Sequence, residues 1–369
     1  MEQWPSTMEK VVMQQNFWQG KKVLVTGHTG FKGSWLCLWL QKLGAEVSGF
    51  SLAPTSPSLF EQAQVSDNMT SMLGDIRDTK SLALAIENSP PDIVFHLAAQ
   101  SLVRASYLDP IETYSTNVMG SLNLLEAIKN VPSVKAVIMV STDKCYENVE
   151  SGAGYNEDDR LGGYDPYSSS KACLELMVAS YRQAFLSDAN NQLHIATARA
   201  GNVIGGGDYA QDRLIPDILQ AISENSDVEL RYPHAVRPWQ HVLEPLSGYM
   251  LLAEKLYQQG NVFAQAWNFG PMPANEKTVH WVTKYMVDNI NTQAKIIFEK
   301  LAQPHETSCL KLNCAKSNSQ LNWQAVWNIE QTLDKVIAWQ QASFDENLAT
   351  KAFCLQQIDD YCQSRASFK

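Results

Sequence analysis

A tyrosine and a lysine four residues apart, Tyr167 and Lys171 in YSSSK, form the clearest acid–base pair of the chain. On a helix this spacing places both side chains on one face. A phenol has a reference pKa of about 10, and lowering it to near 7 takes roughly 4 kcal/mol, which nearby positive charges can supply. The pair therefore suits a phenolate that accepts a proton from a substrate hydroxyl. The spacing alone is common on helix surfaces, so its position relative to the motifs below matters.

A polar stretch, STDK at 141–144, directly follows the apolar run VKAVIMV. Open parallel sheets bind their ligands at this carboxyl edge. Thr142 can hydrogen-bond a substrate hydroxyl, and with the YSSSK pair it completes a set that suits oxidation of an alcohol. Asp143 and Lys144 are surplus to simple dehydrogenation and indicate further proton transfer, unless they form only a solvated acid–base pair at a strand end.

Three glycines in TGHTGFKG, namely Gly27, Gly30 and Gly33, lie between a predicted strand and a predicted helix. Glycines at this spacing let the backbone turn sharply and approach a pyrophosphate, whose charge is favoured at a helix N-terminus. The motif predicts a dinucleotide site; a tight strand-to-helix turn is the alternative. Gly49, Phe50 and Ser51 stand where such folds often carry an acid for the adenosine ribose. Neither an acid nor a base for a 2'-phosphate is present there.

The elements that position these motifs alternate from Lys21 onward. The apolar runs KKVLVTG, AEVSGFSL, PDIVFHLAA and VKAVIMVST predict strands, and FKGSWLCLWLQKLG and NVMGSLNLLEAIKN predict helices between them. This order predicts an α/β fold with a Rossmann-type, doubly wound parallel sheet and a smaller C-terminal substrate-binding domain. We expect residues 17–200 to form the dinucleotide-binding domain, with re-entry at about 238–268. Residues 201–369 should mainly form the second domain.

The 369-residue composition fits a globular enzyme, with 45% hydrophobic and 18% charged residues and a net charge of −10. The acidic balance argues against a nucleic-acid partner. Seven cysteines without a CxxC pair favour reduced thiols. The first residues lack the pattern of a secretory signal and no apolar stretch is long enough to span a bilayer, so we expect a cytoplasmic protein without a membrane partner.

Several segments together resemble CDP-glucose 4,6-dehydratases of the extended short-chain dehydrogenase/reductase family, over about residues 17–340. They are TGHTGFKGSW, HLAAQSLVRASYLDP, STDKCYEN, GNVIGGGDYAQDRLIPD and AVRPWQHVLEPL. Related dTDP-glucose enzymes carry Asp-Glu where this chain has Asp143-Lys144, whereas the CDP-glucose group resembles this chain in having lysine. The resemblance implies a homodimer, NAD rather than NADP, although NADP is not excluded, and a role in deoxysugar synthesis for surface polysaccharide such as O-antigen.

The resemblance also implies roles for individual residues. Those implied to bind the cofactor, besides Tyr167 and Lys171, are Gly27, Thr29, Gly30, Phe31, Lys32, Gly33, Ser51, Asp75, Ile76, Leu97, Ala98, Ala99 and Asn117. Those implied to bind the sugar, nucleotide or diphosphate are Gln100, Arg104, Asn202, Arg213, Leu214, Arg231, Arg237, Asn268 and Glu306. Arginine suits a diphosphate because its planar fork donates two hydrogen bonds. We assign no metal site.

The implied reaction begins when Tyr167 accepts the proton of the sugar 4-hydroxyl and the C4 hydride passes to the nicotinamide. The resulting 4-ketone acidifies C5, so that a base can remove its proton while protonated Asp143 assists departure of the C6 hydroxyl. Hydride then returns to C6. Lys144 is the best candidate for the C5 base, but it must be neutral to act so, and its reference pKa is about 10.4; the assignment stays open.

Other functions share parts of this pattern. A 4,6-dehydratase of another sugar nucleotide, such as UDP-N-acetylglucosamine or dTDP-glucose, is the nearest alternative. A sugar-nucleotide 4-epimerase would need Thr142, Tyr167 and Lys171 but not the Asp143-Lys144 pair. A non-catalytic NAD-sensing protein is a further alternative, but such proteins tend to lose the tyrosine and lysine that this chain keeps.

Overall fold

The computed structural model describes residues 15–149, 153–188, 190–290, 292–298, 310–343 and 349–367. The strands are β1 Lys22–Thr26, β2 Glu46–Ser51, β3 Met69–Leu73, β4 Ile93–His96, β5 Ala136–Val140, β6 His194–Ala200, β7 Asn202–Ile204, β8 Val228–Leu230, β9 Val236–His241, β10 Ala266–Phe269, β11 Glu276–Thr278 and β12 Ile296–Phe298. The helices are α1 Gln15–Trp18, α2 Phe31–Lys42, α3 Leu59–Gln62, α4 Thr79–Asn88, α5 Val103–Leu108, α6 Pro110–Tyr114, α7 Ser121–Ile128, α8 Pro166–Phe185, α9 Leu214–Ser223, α10 Leu243–Gln259, α11 Val279–Asn289, α12 Ala315–Leu321, α13 Ile329–Ser343 and α14 Thr350–Ser367.

A seven-stranded sheet in the order β10-β6-β5-β4-β1-β2-β3 is the centre of the fold. Each of its pairings is parallel. Its central strands are apolar over nearly their full length because helices cover both faces of the sheet. The strand order reverses between β1 and β4, which opens a crevice at the carboxyl ends of these strands, where ligands of such sheets bind. The predicted α/β class and doubly wound parallel sheet are confirmed.

Two helical layers enclose the sheet. Helices α2 and α10 pack on one face, together with the C-terminal helix α14, whereas α4, α7 and α8 pack on the other. The predicted helix at FKGSWLCLWLQKLG is α2, which buries Trp35 and Trp39 completely. The segment NVMGSLNLLEAIKN begins with a π-helical turn at 115–120 and continues as α7.

A smaller region lies over the carboxyl edge of the sheet. It contains a three-stranded sheet of β7, β9 and β11, the pair β8 and β12, and a separate core shared by α9, α11 and α13. Helix α10 and strand β10 return to the main sheet from within this part of the chain. We propose on this topology that the first domain comprises 17–200 with the stretch near 238–268, and that 201–369 mainly forms the second.

Among the residues that the structure describes, no helix combines the length and apolarity needed to cross a bilayer.

Candidate active site

A cleft of about 1970 Å³ opens at the carboxyl edge of the main sheet, between it and the smaller region. Within the described part of the chain, the predicted site residues line this cleft with two exceptions, Asn117 and Asn268. Glu306 lies outside the described residues. The catalytic, cofactor-binding and substrate-binding residues predicted from separate motifs therefore meet in one space.

The glycine turn between β1 and α2 forms one wall of the cleft. Gly27 has a φ of +74°, and a Cβ there would lie 2.7 Å from the backbone nitrogen of Ala98. A Cβ on Gly33 would collide with the carbonyl oxygen of Gly27. Gly30 is the residue that precedes α2, and its Cβ position is almost open. This bare, tightly turned backbone at a helix N-terminus fits a dinucleotide pyrophosphate.

The far end of the turn meets the end of β2, where no acid is present. Thr29 Oγ1 hydrogen-bonds Ser51 Oγ at 2.8 Å and donates to the carbonyl oxygen of Leu52 at 3.0 Å. Asp75 is paired with Arg77 at 2.6 Å, and the same pairing lowers the pKa of Asp75. Hydroxyl groups rather than a carboxylate therefore stand where an adenosine ribose would lie.

The turn after β5 carries the second chemical group. Asp143–Cys145 form a single 3₁₀ turn, capped by Thr142, whose Oγ1 accepts from the backbone nitrogen of Lys144 at 3.3 Å. Thr142 Oγ1 also donates to Asp143 Oδ1 at 3.0 Å. Thr142 and Asp143 are 6% and 2% exposed, whereas Lys144 is half-buried. The turn thus holds a hydroxyl, a carboxyl and an amine at the cleft.

One carboxyl oxygen of Asp143 is unpaired. Oδ2 is buried and has no hydrogen-bond partner among the described residues. A Cβ on Gly201 would lie 2.9 Å from this oxygen, so glycine at that position avoids a close contact. A buried unpaired polar atom is costly, and a partner from a bound substrate would satisfy it.

Helix α8 brings the phenol and the ammonium to the same place. Asp165 caps its N-terminus by accepting from the backbone nitrogen of Ser168 at 2.9 Å, and Pro166 occupies the first turn. Tyr167 and Lys171 follow one helical turn apart and are 9% and 5% exposed. Lys171 Nζ donates to the carbonyl oxygen of Val140 at 3.0 Å, which ties the helix to the end of β5.

Burial controls the ionisation of these groups. It raises the pKa of Tyr167 to about 12, although the Thr142 hydroxyl opposes the change. It lowers the pKa of Lys171 to about 8. Burial and the charges of Arg213 and Lys171 lower the pKa of Lys32 to about 8. The phenol of Tyr167 therefore needs additional positive charge beside it before it can accept a proton near neutral pH.

Three arginines that the sequence predicts to bind the substrate form ion pairs with aspartates that also line the cleft. Arg213 bonds Asp208 at 2.9 Å. Arg104 on α5 and Arg231 after β8 both bond Asp212, at 3.2 and 2.8 Å. The acids were not predicted, although GDYAQDRLIPD shows them in the sequence at close spacing. The arginines are thus held in place at the cleft by ion pairs.

The other predicted substrate residues differ in their surroundings. Arg237 is 3% exposed and donates to the carbonyl oxygen of Val236 at 3.1 Å. Asn202 in β7 and Leu214 at the start of α9 line the cleft, as does Gln100. The Gln100 side chain bonds Leu102 and Thr113.

Two predicted site residues do not line the cleft in this structure. Asn268 lies in β10 outside the cleft, where its amide accepts from the Tyr146 hydroxyl at 2.8 Å and donates to two backbone carbonyls. Asn117 is buried in the π-helical turn and pairs with the backbone of Gln100 and with Ser170. Both amides are used within the protein, so in this structure they support the walls of the cleft and do not face a ligand.

Known proteins are similar to this chain in sequence. The chain matches the family model described as GDP-mannose 4,6 dehydratase over residues 24–336. It is 52% identical to the CDP-glucose 4,6-dehydratase of Salmonella typhimurium over 335 residues, which cover 90% of this chain and 93% of the relative. The chain belongs to the sugar-nucleotide 4,6-dehydratases. The predicted membership of the extended short-chain dehydrogenase/reductase family is confirmed.

Solved structures of this dehydratase family and its neighbours have the same fold. The dTDP-glucose 4,6-dehydratase of Bacillus anthracis, in complex with NAD, is 25% identical with a TM-score of 0.74, covering 87% of this chain and 97% of that one. The epimerase Mth375 of Methanothermobacter thermautotrophicus, at 22% identity, has a TM-score of 0.79 over 91% of this chain and 96% of that one. The latter likeness concerns the fold alone.

Proposed function

We propose that this dehydratase converts CDP-glucose to CDP-4-keto-6-deoxyglucose, with NAD as its hydride carrier. The observation that carries the proposal is the convergence of Thr142, Tyr167 and Lys171 with the Asp143-Lys144 turn at one cleft. The first three residues suit oxidation of an alcohol, and the turn adds the acid and base that loss of water requires. The identity to a relative named for CDP-glucose supports this substrate.

The oxidation half of the reaction depends on Tyr167. The glycine turn between β1 and α2 would hold NAD, whose nicotinamide would supply the hydride acceptor for C4 and the hydride donor for C6. Tyr167 accepts the proton of the 4-hydroxyl, and the ammonium of Lys171, one turn along the same helix, stabilises the phenolate. Thr142 can hydrogen-bond the same sugar hydroxyl.

The elimination half depends on the turn after β5. Once C4 is a ketone, the C5 proton is acidic, and we assign its removal to Lys144 in its neutral form. The electron pair forms the C5–C6 double bond, and the C6 hydroxyl leaves as water with a proton from the acid form of Asp143. When hydride adds to C6, protonated Lys144 returns a proton to C5, which completes the product and restores the neutral amine. Asp143 Oδ2, which has no partner among the described side chains, is the oxygen that we assign to this transfer.

The nucleotide and cofactor choices can be tested together. Purified protein is incubated with CDP-, dTDP-, GDP- and UDP-glucose and with UDP-N-acetylglucosamine, each with NAD or NADP. We expect loss of one water, measured by mass, and a product absorbing in alkali, chiefly with CDP-glucose and NAD. Formation of an isomer without loss of water would indicate a 4-epimerase, and turnover of another nucleotide alone would overturn the CDP-glucose assignment.

We also propose a cytoplasmic homodimer that supplies deoxysugars for surface polysaccharide such as O-antigen. Exposed apolar side chains on neighbouring helices support a dimer: Leu108 is 87%, Ile111 is 80% and Leu176 is 59% exposed. Patches of this kind mark association surfaces. Light scattering should give twice the chain mass for the wild type, and Ile111→Lys should lower it; a monomeric wild type would contradict the dimer.

A further inference from the structure

Glu175 lies on α8 one helical turn beyond Lys171 and two beyond Tyr167. Its side chain is 3% exposed. Oε1 accepts from Arg199 Nε at 2.8 Å, and Oε2 accepts from Arg199 Nη2 at 3.0 Å and from Thr197 Oγ1 at 2.7 Å. A carboxylate is thus held in a fixed, fully hydrogen-bonded position beneath the catalytic pair.

Arg199 connects this carboxylate to the turn that carries Asp143 and Lys144. Its Nη1 donates to the Tyr146 hydroxyl at 2.7 Å and to the carbonyl oxygen of Glu157 at 2.8 Å. Its guanidinium lies 4.8 Å from the centre of the Tyr146 ring. Since Tyr146 directly follows the catalytic turn, one network contacts both the helix and the turn.

Stability alone is a weak explanation for burying these charges. Removing two ions from water costs several kcal/mol per ion, and well-packed apolar residues often serve stability equally well. Burial by itself would raise the pKa of Glu175, but the charge and hydrogen bonds of Arg199 outweigh it and leave that pKa below its usual value. Glu175 is therefore ionised beside the active site.

The negative charge of Glu175 matters because of the groups that surround Lys171. Among the described residues, the charged and titratable groups that interact electrostatically with Lys171 are Glu175 on α8, Cys145 on the turn, His96 at the end of β4 and Lys32 at the start of α2. Tyr167 lies one turn away on α8, and Arg199 is bonded to Glu175. Burial lowers the pKa of His96 to about 3, so the imidazole is neutral, and burial keeps the Cys145 thiol protonated by raising its pKa. Burial lowers the pKa of Lys171, and the charge of Glu175 acts against that change.

We propose that Glu175 is a positioning residue of the reaction, which keeps Lys171 charged beneath Tyr167 while Arg199 fixes Glu175 and braces the catalytic turn. The inference rests on the proposed function insofar as Tyr167 and Lys171 serve as the proton-accepting pair. Glu175 itself contacts neither substrate nor cofactor.

The test replaces Glu175 with glutamine, which keeps the shape and one acceptor oxygen. Without the carboxylate, the Lys171 ammonium loses its stabilising charge, so the alkaline limb of the kcat–pH profile should move down by about one pH unit. At a pH on that limb, kcat should fall about tenfold. If Glu175→Gln does not fold, the double variant Glu175→Gln/Arg199→Met removes both buried charges and should move the limb in the same direction by less, because loss of the Arg199 charge favours the Lys171 ammonium.

A second glutamate supplies the matched control. Glu244 is also fully buried, but it lies in α10 and is bonded to C-terminal residues. Glu244→Gln should change thermal stability without moving the alkaline limb of kcat. An unmoved limb in the Glu175 variants, or an equal shift in Glu244→Gln, would overturn the inference.

A readout without turnover separates this inference from the proposed function. ¹³C NMR of lysine ε-carbons, with the Lys171 signal identified from its loss in Lys171→Arg, gives the pKa of Lys171 directly. It should be lower in Glu175→Gln than in the wild type, whatever sugar nucleotide the enzyme uses. An unchanged Lys171 pKa would refute the role of Glu175, whereas lack of turnover with every sugar nucleotide would refute the proposed function instead.

Discussion

Asp143 offers a direct test of the elimination step at the scale of one residue. Its carboxyl group is buried, with Oδ1 bonded to Thr142 and Oδ2 unpartnered among the described residues. We expect Asp143→Asn to lower kcat by about 10²- to 10⁴-fold, because the amide keeps the shape but cannot supply the proton. C4 oxidation should continue, so reduced nicotinamide should accumulate in a single-turnover absorbance measurement.

A carboxylate outside the cleft controls for a general loss of negative charge. Glu87 lies on α4, is exposed and does not line the cleft. Glu87→Gln should leave kcat unchanged. Release of the 4-keto-6-deoxy product at the wild-type rate by Asp143→Asn would show that another group is the acid.

Local motifs made most residues of the site predictable, and the exceptions have a common cause. Tyr167 and Lys171 follow from helical spacing, and the turn with Asp143 follows from its place after an apolar strand. Asn268 and Asn117 did not follow, because the direction of an amide side chain depends on partners distant in sequence, such as Tyr146 and Ser170. The acids that pair with the arginines depend on the same kind of contact.

The turn between β1 and α2 can be tested as an element. Gly27 combines a φ of +74° with backbone atoms of Ala98 within 2.9 Å of a Cβ position. Gly20 has a φ of +69° but no atom within 4 Å of its Cβ position. Gly20→Ala should therefore report only the backbone strain, about 1–3 kcal/mol of unfolding free energy. Gly27→Ala should cost more and should also weaken NAD binding.

Denaturant titration and calorimetric binding of NAD measure the two effects. Equal losses of stability in both variants, with unchanged NAD affinity, would show that the turn does not need the close approach to Ala98. The comparison works because the two glycines share a backbone conformation and differ in what surrounds them.

Elements with strong local patterns were predictable, and weakly patterned ones were not. Strands such as β4 and β5 are apolar runs bounded by polar residues, and α2 repeats apolar residues at helical spacing. Strand β3, MTSML, carries polar residues and lies at the sheet edge, where pairing with β2 decides its structure. The π-helical turn at 115–120 likewise has no local signal.

Attachment of the C-terminal segment to the sheet layer gives a prediction for the whole molecule. Glu244 on α10 accepts from the backbone nitrogens of Val326 and Trp327 at 3.0 and 2.8 Å and from the Tyr361 hydroxyl at 2.7 Å. Burial raises its pKa to about 7. Above about pH 4.5 the unfolded chain releases this proton and the folded one keeps it, so stability falls as pH rises towards 7 and is constant above.

Glu244→Gln removes this titration while keeping the side-chain shape. The difference in unfolding free energy between wild type and variant should fall by up to about 1.4 kcal/mol per pH unit between pH 5 and 7. Denaturant unfolding at intervals from pH 5 to pH 8 measures it. If the difference in unfolding free energy stays constant between pH 5 and pH 8, Glu244 does not titrate in this range in the folded protein.

The long-range course of the chain was the least predictable part of the molecule. The sequence indicated that the chain re-enters the first domain. It gave no sign that α14 packs against α2, which joins residues separated by about three hundred positions. No local pattern encodes such a contact, since apolar residues on a helix do not specify which surface they cover. The same holds for the pairing of β10 with β6, on which the width of the sheet depends.

Asp212 joins the two sides of the cleft, which gives a prediction for how the whole molecule binds its substrate. It adopts a φ of +60° and bonds Arg104 from the sheet layer and Arg231 from the smaller region. If both arginines bind the diphosphate, as the sequence predicts, a nucleoside diphosphate competes with this carboxylate for them. Asp212→Asn keeps a residue that tolerates the backbone conformation and removes the competing charge. We therefore expect CDP to bind up to about fivefold more tightly, since an exposed ion pair contributes up to about 1 kcal/mol.

Calorimetric titration with CDP at two salt concentrations measures this effect. Asp217→Asn is the matched control, because Asp217 bonds Arg231 at 3.2 Å from the smaller region, and its removal should raise the affinity less. The gain for Asp212→Asn should shrink at high salt, because screening weakens the ion pairs that the wild type must break. Weaker CDP binding by Asp212→Asn would contradict the prediction. It would mean that the Asp212 carboxylate aligns the two arginines for the diphosphate, and that this alignment affects affinity more than the competition does.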